Sequence, residues 1–378
     1  MTMPPNVSVA KGLEGVVAEA TRLSDVQGQV GRLLYRGYDI NDLAAHSTFE
    51  ETVYLLWFGA LPTLSQLDSF CQELTAARAL PDGMVDQMKL WPAASTPMGV
   101  LQAAVASLGL YDPKRNDDSE RARHETAIKL TAQMATITTT WNSIRTGQAS
   151  VAPRGDLGHA ANFLYMLTGQ APTQESAHIL DVALILHADH GLNASTFVAR
   201  SIASTLSDMY SAITGALGAL KGPLHGGANE QVMRMLLEVG DVAQVEPYVN
   251  AQLEQKKKLM GFGHRVYKAD DPRALLLRRI AGEIAEHTGN HKWYDMQEKM
   301  RELITAKKPL PVNVDFYSAS VYYALGIPID LFTPIFAVSR IAGWTAHILE
   351  QYADNRIVRP DALYIGERDL QYVPIEKR

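Results

Sequence analysis

Four short segments carry residue types able to do polar chemistry. In Gly261-Phe262-Gly263-His264-Arg265-Val266-Tyr267-Lys268-Ala269-Asp270-Asp271-Pro272-Arg273, two glycines permit a tight turn and close approach to a ligand. Pro272 can open a helix at its first position. The turn presents His264 on one side and Arg273 on the other, and Lys256, Lys257 and Lys258 lead into it. Cations feeding a glycine turn suit an anion; the alternative is a solvated helix end beside a structural turn. His187-Ala188-Asp189-His190 sets two imidazoles three residues apart at a helix end. A zinc site is one reading, but it wants a third and usually a fourth ligand. The chain has neither a His-Glu-x-x-His run nor a cysteine pair to supply them. A capped structural histidine pair is the other reading.

The third segment, Gly222-Pro223-Leu224-His225-Gly226-Gly227-Ala228-Asn229, places His225 just ahead of a helix start near Asn229. Backbone donors and the positive end of the helix dipole disfavour an imidazolium there. A neutral histidine can donate a hydrogen bond to a developing oxyanion; a glycine turn for close packing is the plainer alternative. In Pro311-Val312-Asn313-Val314-Asp315-Phe316-Tyr317-Ser318, Asp315 follows an apolar extended run and precedes a helix. It is either an N-cap or, among apolar and aromatic neighbours, a base with a raised pKa. Arg340 is a cation in an otherwise apolar helix, which is costly unless it meets an anion. Arg359 precedes Pro360 in a polar tail, where a surface role is the default.

The scaffold that must position these groups is bounded by composition. With 378 residues, 47% hydrophobic and 20% charged, the chain is an ordinary globular protein large enough for two domains. A net charge of -6, without aromatics interleaved among basic runs, argues against nucleic-acid binding. Cys71 is the single cysteine, which excludes an intrachain disulfide and fits a reducing cytoplasm. The start, Met1-Thr2-Met3-Pro4-Pro5-Asn6, lacks the basic flank and apolar run of a signal peptide, and no long apolar stretch for a membrane span occurs.

Residues 12 to 40, punctuated by Gly28, Gly31 and Gly37, predict a small hairpin that includes the β-prone run Val30 to Tyr35. From Asn41 on the pattern is helical. Thr48-Phe49-Glu50-Glu51 reads as a capping box closed by Glu51, with Gly59 ending the helix. Thr63-Leu64-Ser65-Gln66 repeats the device ahead of a helix over 64–79. Further helices are expected over 97–109, 120–147, 159–168 and 174–189, then as one apolar run over 194–220, with 120–147 buried on most sides. Asp112 to Asp118 reads as a solvated charged linker. Between Gly226 and Ser320 the helices shorten and charge rises, predicting a small second domain, 226–320, inserted in a large one, 1–225 and 321–378. Leu331 to Tyr352 is again a long apolar helix, and the tail from Arg356 is polar and irregular. No strand-helix alternation supports a Rossmann or barrel sheet, and no fixed repeat supports a solenoid. The predicted fold is mainly α.

The segments His187 to Asn193, Gly222 to Asn229, Gly261 to Arg273, Asn313 to Ser318 and Phe336 to Arg340, in this order and spacing, resemble citrate synthase over nearly the whole chain. The resemblance implies an all-helical, two-domain, citrate synthase-like fold with a small N-terminal β-hairpin, a cleft between the domains, and a homodimer. It implies condensation of acetyl-CoA with oxaloacetate followed by hydrolysis of citryl-CoA. In that chemistry Asp315 is the base, His225 the donor to the enol oxygen, and His264 the donor to the oxaloacetate carbonyl. Arg273, Arg340 and Arg359 would hold the carboxylates, with His187 and His190 completing the pocket, and Arg359 would come from the neighbouring subunit. Lys258, Leu259, Met260, Gly261 and Phe262 lie where the family binds coenzyme A, a co-substrate; no metal or redox cofactor is implied. The chain starts close to the hairpin, without the extra N-terminal domain of the NADH-regulated hexameric branch, which implies insensitivity to NADH. Other classes remain: 2-methylcitrate synthase using propionyl-CoA, a non-catalytic helical binding protein, and a metal-dependent hydrolase built on His187, Asp189 and His190.

Overall fold

The computed structural model describes residues 9–308 and 310–378; the start of the chain, read above for a leader, lies outside them. Strands β1 (Ser24–Gln27), β2 (Arg32–Tyr35) and β3 (Tyr38–Asp39) form one antiparallel sheet in that order, with Asp25 opposite Leu34 and Tyr35 opposite Tyr38. The expected hairpin is therefore present and extended by a third short strand, while Val30 falls in the turn. That turn reaches across the molecule, because Gly28 O accepts from Lys268 N at 2.9 Å in the segment that carries His264.

The helices follow as α1 (Ile40–His46), α2 (Phe49–Phe58), α3 (Leu64–Ala76), α4 (Met84–Lys89), α5 (Pro97–Tyr111), α6 (Glu120–Arg145), α7 (His159–Thr168) and α8 (Gln174–His187). Then come α9 (Ala194–Ala203), α10 (Met209–Leu220), α11 (Ala228–Val239), α12 (Val242–Glu254), α13 (Pro272–Thr288), α14 (Lys292–Lys307), α15 (Val314–Ala324) and α16 (Phe332–Ala353). Polar side chains start most of them. Thr63 and Gln66 make the full reciprocal box at α3. At α2 only half of the expected box forms: Thr48 Oγ1 accepts from Glu51 N at 3.2 Å, and the return bond from Glu51 is not made. Its neighbour Glu50 is buried instead, accepting from His159 N at 2.6 Å.

Two further expectations are corrected. The apolar run 194–220 breaks into α9 and α10, because Asp208 caps a new helix by accepting from Ser211 N at 2.9 Å and Leu206 takes a positive φ of 63°. The charged linker is not simply solvated: Asp112 is buried and accepts from Tyr210 Oη at 2.7 Å and Lys129 Nζ at 3.0 Å, so it pins α5 to α6 and α10. Helix α6 is buried along most of its length, as its composition predicts, and its threonines turn back onto their own helix. Thr138 Oγ1, for example, donates to Met134 O at 2.8 Å.

Helix α16 is the spine. It packs against α2, α6, α8, α9 and α10 and is buried from Phe332 to Ile348. Helices α11 to α15 pack on one another, with α13 and α15 also touching α8. Beyond α16 the tail has no regular element until a single 3₁₀ turn at Ile375–Lys377. Among the described residues no helix is long and apolar enough to cross a membrane.

Candidate active site

The end of α8 and the loop after it, the start of α15, the 261–271 segment and the middle of α16 converge on one site. Two of its walls are stitched together by backbone. Gly263 N donates to Pro311 O at 2.8 Å, Asn313 N to Gly261 O at 3.0 Å, and Phe262 pairs with Val312 in an antiparallel bridge. The side chain of Asn313 adds a bond to Gly263 O at 3.0 Å. Asn313, not Asp315, is the N-cap of α15, its Oδ1 accepting from Asp315 N at 3.2 Å. The Asp315 side chain is thus released from capping. Its Oδ1 is cut off from solvent with no partner, and burial raises its pKa to about 7 against the opposing pull of Arg273 and Arg340.

The two candidate donor histidines are fixed in their tautomers by backbone N–H groups, which can only donate. Val266 N and Tyr267 N both donate to His264 Nδ1 at 3.0 Å. The proton of a neutral His264 is therefore on Nε2. His225 Nε2 accepts from Ser195 N at 3.3 Å, which places the proton of the neutral ring on Nδ1, and the same nitrogen lies 2.8 Å from Ser195 Oγ. Ser195 is held by Trp344 Nε1 at 3.1 Å and Asn193 Oδ1 at 2.8 Å. Both rings stay neutral at physiological pH. Burial and then the Arg340 cation pull His225 down to about 4, and burial, then Arg273, pulls His264 to about 4. Neutral rings with one N–H each are hydrogen-bond donors for oxygen.

His190 and His264 are ring neighbours at 5.3 Å, and His190 Nε2 lies 3.4 Å from Tyr267 Oη. Burial, with Arg273 next, keeps His190 well below the usual imidazole range. His187 is fully buried, hydrogen-bonds Ala183 O through Nδ1 at 2.8 Å, and is pulled to about 3 by burial, leaving Nε2 unpartnered. Asp189 turns to other partners, Ser24 and Gly191 N, so His187, Asp189 and His190 do not point at a common centre.

Arg340 is buried, its Nε donating to His187 O at 2.7 Å and its guanidinium lying over the Phe336 ring at 4.7 Å. Burial lowers its pKa to about 10, against the raising effect of Asp189. Arg273 is buried with Asp271, which takes its Nε at 2.9 Å and Nη2 at 2.7 Å. One edge of the fork is therefore already used and the remaining guanidinium hydrogens are those left for a ligand. Asp271 already offsets one of the two buried cations, so Arg340 and the free edge of Arg273 are the guanidinium donors left to meet a carboxylate ligand.

Arg359 is not brought into this cleft. It sits exposed on the tail, 3.2 Å from Asp361. Lys258 is exposed, Leu259 buried, and Met260 and Phe262 half-buried, with Gly261 and Gly263 both at positive φ in the turn. The sequence reading passed over Ser195, Trp344, Asp271 and Tyr322. The last leaves a buried hydroxyl without a partner, on the same helix as Asp315. A cavity of about 810 Å³ opens elsewhere, between α3, α5 and α6, and borders none of these groups.

A family model described as citrate synthase, C-terminal domain, matches residues 12–361. The chain is 49% identical to citrate synthase 2 of Bacillus subtilis, over 98% of this chain and 100% of that one. It is 42% identical to 2-methylcitrate synthase 2 of Corynebacterium glutamicum, over all of both chains. Among solved structures, citrate synthase of Thermoplasma acidophilum in ternary complex with carboxymethyl coenzyme A and oxaloacetate superposes with a TM-score of 0.93 at 36% identity. That match covers 98% of this chain and 100% of the other.

Proposed function

The chain belongs to the citrate synthase family and is an acyltransferase of that family, and we propose that Asp315, His225 and His264 carry its chemistry on oxaloacetate and acetyl-CoA. The observation that carries this assignment is the pairing of a carboxyl raised to about 7 with two neutral, tautomer-fixed histidines beside buried Arg273 and Arg340. The methyl group beside a thioester is a very weak acid. A base must take its proton while a donor stabilises the oxygen in the same step. Asp315 takes that proton and the His225 Nδ1–H donates a hydrogen bond to the thioester oxygen, giving an enolate held by that bond. Its carbon attacks the oxaloacetate carbonyl, which the His264 Nε2–H polarises. Water then cleaves the thioester of citryl-CoA, with His264 assisting, to give citrate and coenzyme A.

Oxaloacetate's two carboxylates fall to Arg273, Arg340 and Arg359, with His187 and His190 completing the pocket. Coenzyme A lies along Lys258, Leu259, Met260, Gly261 and Phe262 as a co-substrate, and no metal or redox cofactor takes part. The enzyme works as a cytoplasmic homodimer in which Arg359 serves the partner's site. Supporting this, Arg359 is exposed and pairs with Asp361 on its own tail, and the same tail exposes Ile357, Ile365, Leu370 and Tyr372, apolar surface suited to covering another subunit. Residues 226–320 act as a small domain that closes on oxaloacetate and excludes water before the enolate forms.

The acyl group is acetyl. The likeness to a 2-methylcitrate synthase keeps propionyl-CoA as the competitor. One CH₂ in an apolar pocket is worth about 1–3 kcal/mol, so turnover of both thioesters discriminates little. The ratio of kcat/KM for acetyl-CoA over propionyl-CoA, at saturating oxaloacetate and read by thiol release, compares the two transition states. It is expected above one. A ratio clearly below one assigns the chain to 2-methylcitrate synthesis.

A further inference from the structure

Behind the loop that carries His190 lies an array of buried polar groups that the proposed reaction does not touch. Asp189, fully buried after α8, accepts through Oδ2 from Ser24 Oγ and from Gly191 N, the latter at 3.1 Å. Its Oδ1 lies 3.3 Å from His347 Nε2 on α16, within reach but short of a well-aligned hydrogen bond, and among the described residues neither buried atom has a hydrogen-bond partner. On the far side of that ring, Arg200 Nη1 lies 3.2 Å from His347 Nδ1. A guanidinium only donates, so Nδ1 accepts and the proton of the neutral ring is on Nε2, on the Asp189 side of the ring. Arg200 is itself held by Glu350 at 2.6 Å and Gln351 at 2.9 Å.

The same face of α16 grips the preceding residues of the loop. Arg340 Nε binds His187 O, and Gly343 N donates to Ala188 O at 3.0 Å. A Cβ at position 343 would fall 2.3 Å from Asp189 Oδ1, so glycine alone lets the helix come this close. Arg340, Gly343 and His347 thus hold residues 187, 188 and 189 in turn.

We propose that His347 is a positioning residue for the dicarboxylate site: its Nε2–H fixes the Asp189 carboxylate, which through Gly191 and Ser24 fixes the turn that aims His190. This inference rests on the oxaloacetate assignment above. Burial works against the Asp189 charge, but hydrogen bonding to His347 and Ser24 and the nearby Arg340 cation hold its pKa below the usual carboxylate value. Without the donor, a buried carboxylate oxygen faces an apolar side chain and the turn relaxes. Oxaloacetate affinity falls, while Asp315 and His225, on other elements, keep their places.

The test is calorimetric titration of oxaloacetate into wild-type enzyme and folded His347→Leu, His347→Asn and His347→Gln variants, with steady-state kinetics alongside. Leu and Asn variants are expected to bind about tenfold more weakly, with KM for oxaloacetate rising in step and kcat within about twofold. In the Gln variant the amide nitrogen reaches the place of Nε2 and restores affinity to within about threefold. A folded Leu or Asn variant that binds as wild type does, or a Gln variant no better than Asn, overturns the proposal. If the Leu variant fails to fold, the Asn and Gln pair decides it. Wild-type enzyme that does not bind oxaloacetate at all overturns the site assignment, and this inference with it.

Discussion

Asp315→Asn lowers kcat by about three orders of magnitude and leaves oxaloacetate affinity within about twofold of wild type. Asparagine keeps the size and the capping geometry, since the N-cap of α15 is Asn313, but it cannot accept the methyl proton. Because the base must be ionised and burial raises Asp315 to about 7, kcat/KM in the wild type rises with pH through that region and levels off above it. Stability runs the opposite way. Between the ordinary carboxylate range and about 7, the folded protein holds a proton that the unfolded chain has released, so stability falls as pH rises through that window. The Asn variant escapes that loss. Its melting temperature relative to wild type is therefore expected to rise from pH 5 to pH 8. A kcat near wild type removes Asp315 from the role of base, and a pH-independent difference in melting temperature contradicts its raised pKa.

The second large effect is a recovery. Arg359→Ala and Asp315→Ala homodimers are each expected to be nearly inactive. Mixed dimers pair the Asp315 of one chain with the Arg359 of the other and so regain one working site, roughly half the wild-type rate per dimer. The basis is local: among the described residues Arg359 is exposed and bonds only to Asp361, two residues along its own tail. Purified heterodimers carrying distinct affinity tags give the measurement. If they remain inactive, Arg359 does not act across an interface.

Much of the helical framework was legible because its signals are local. Thr63 and Gln66 announce α3, Pro97 opens α5, and Gly59 and Gly169 end α2 and α7 in left-handed conformations. The break between α9 and α10 had a readable cap at Asp208, but the apolar run on both sides of it outweighed that signal. The candidate site residues were legible as types in motifs; their partners were not. Nothing in the spacing ties Ser195 to His225, Gly28 to Lys268, or His347 to Asp189, because each contact joins elements far apart in the chain. Two weaker signals existed. Trp344 carries an N–H that a buried helix must satisfy, and Asp271 before Pro272 is an N-cap pattern that also sets a carboxylate beside Arg273.

In the proposed mechanism Asp315 and His225 act in one transition state, the base taking the methyl proton as the donor stabilises the oxygen. The most direct test is a cycle of Asp315→Asn, His225→Ala and the double variant, each followed by thiol release from acetyl-CoA at saturating oxaloacetate. Each single change is expected to cost about a hundredfold or more in kcat, with the double variant within about threefold of the worse single one. Losses that instead multiply in the double variant, or either single variant turning over like wild type, would contradict it.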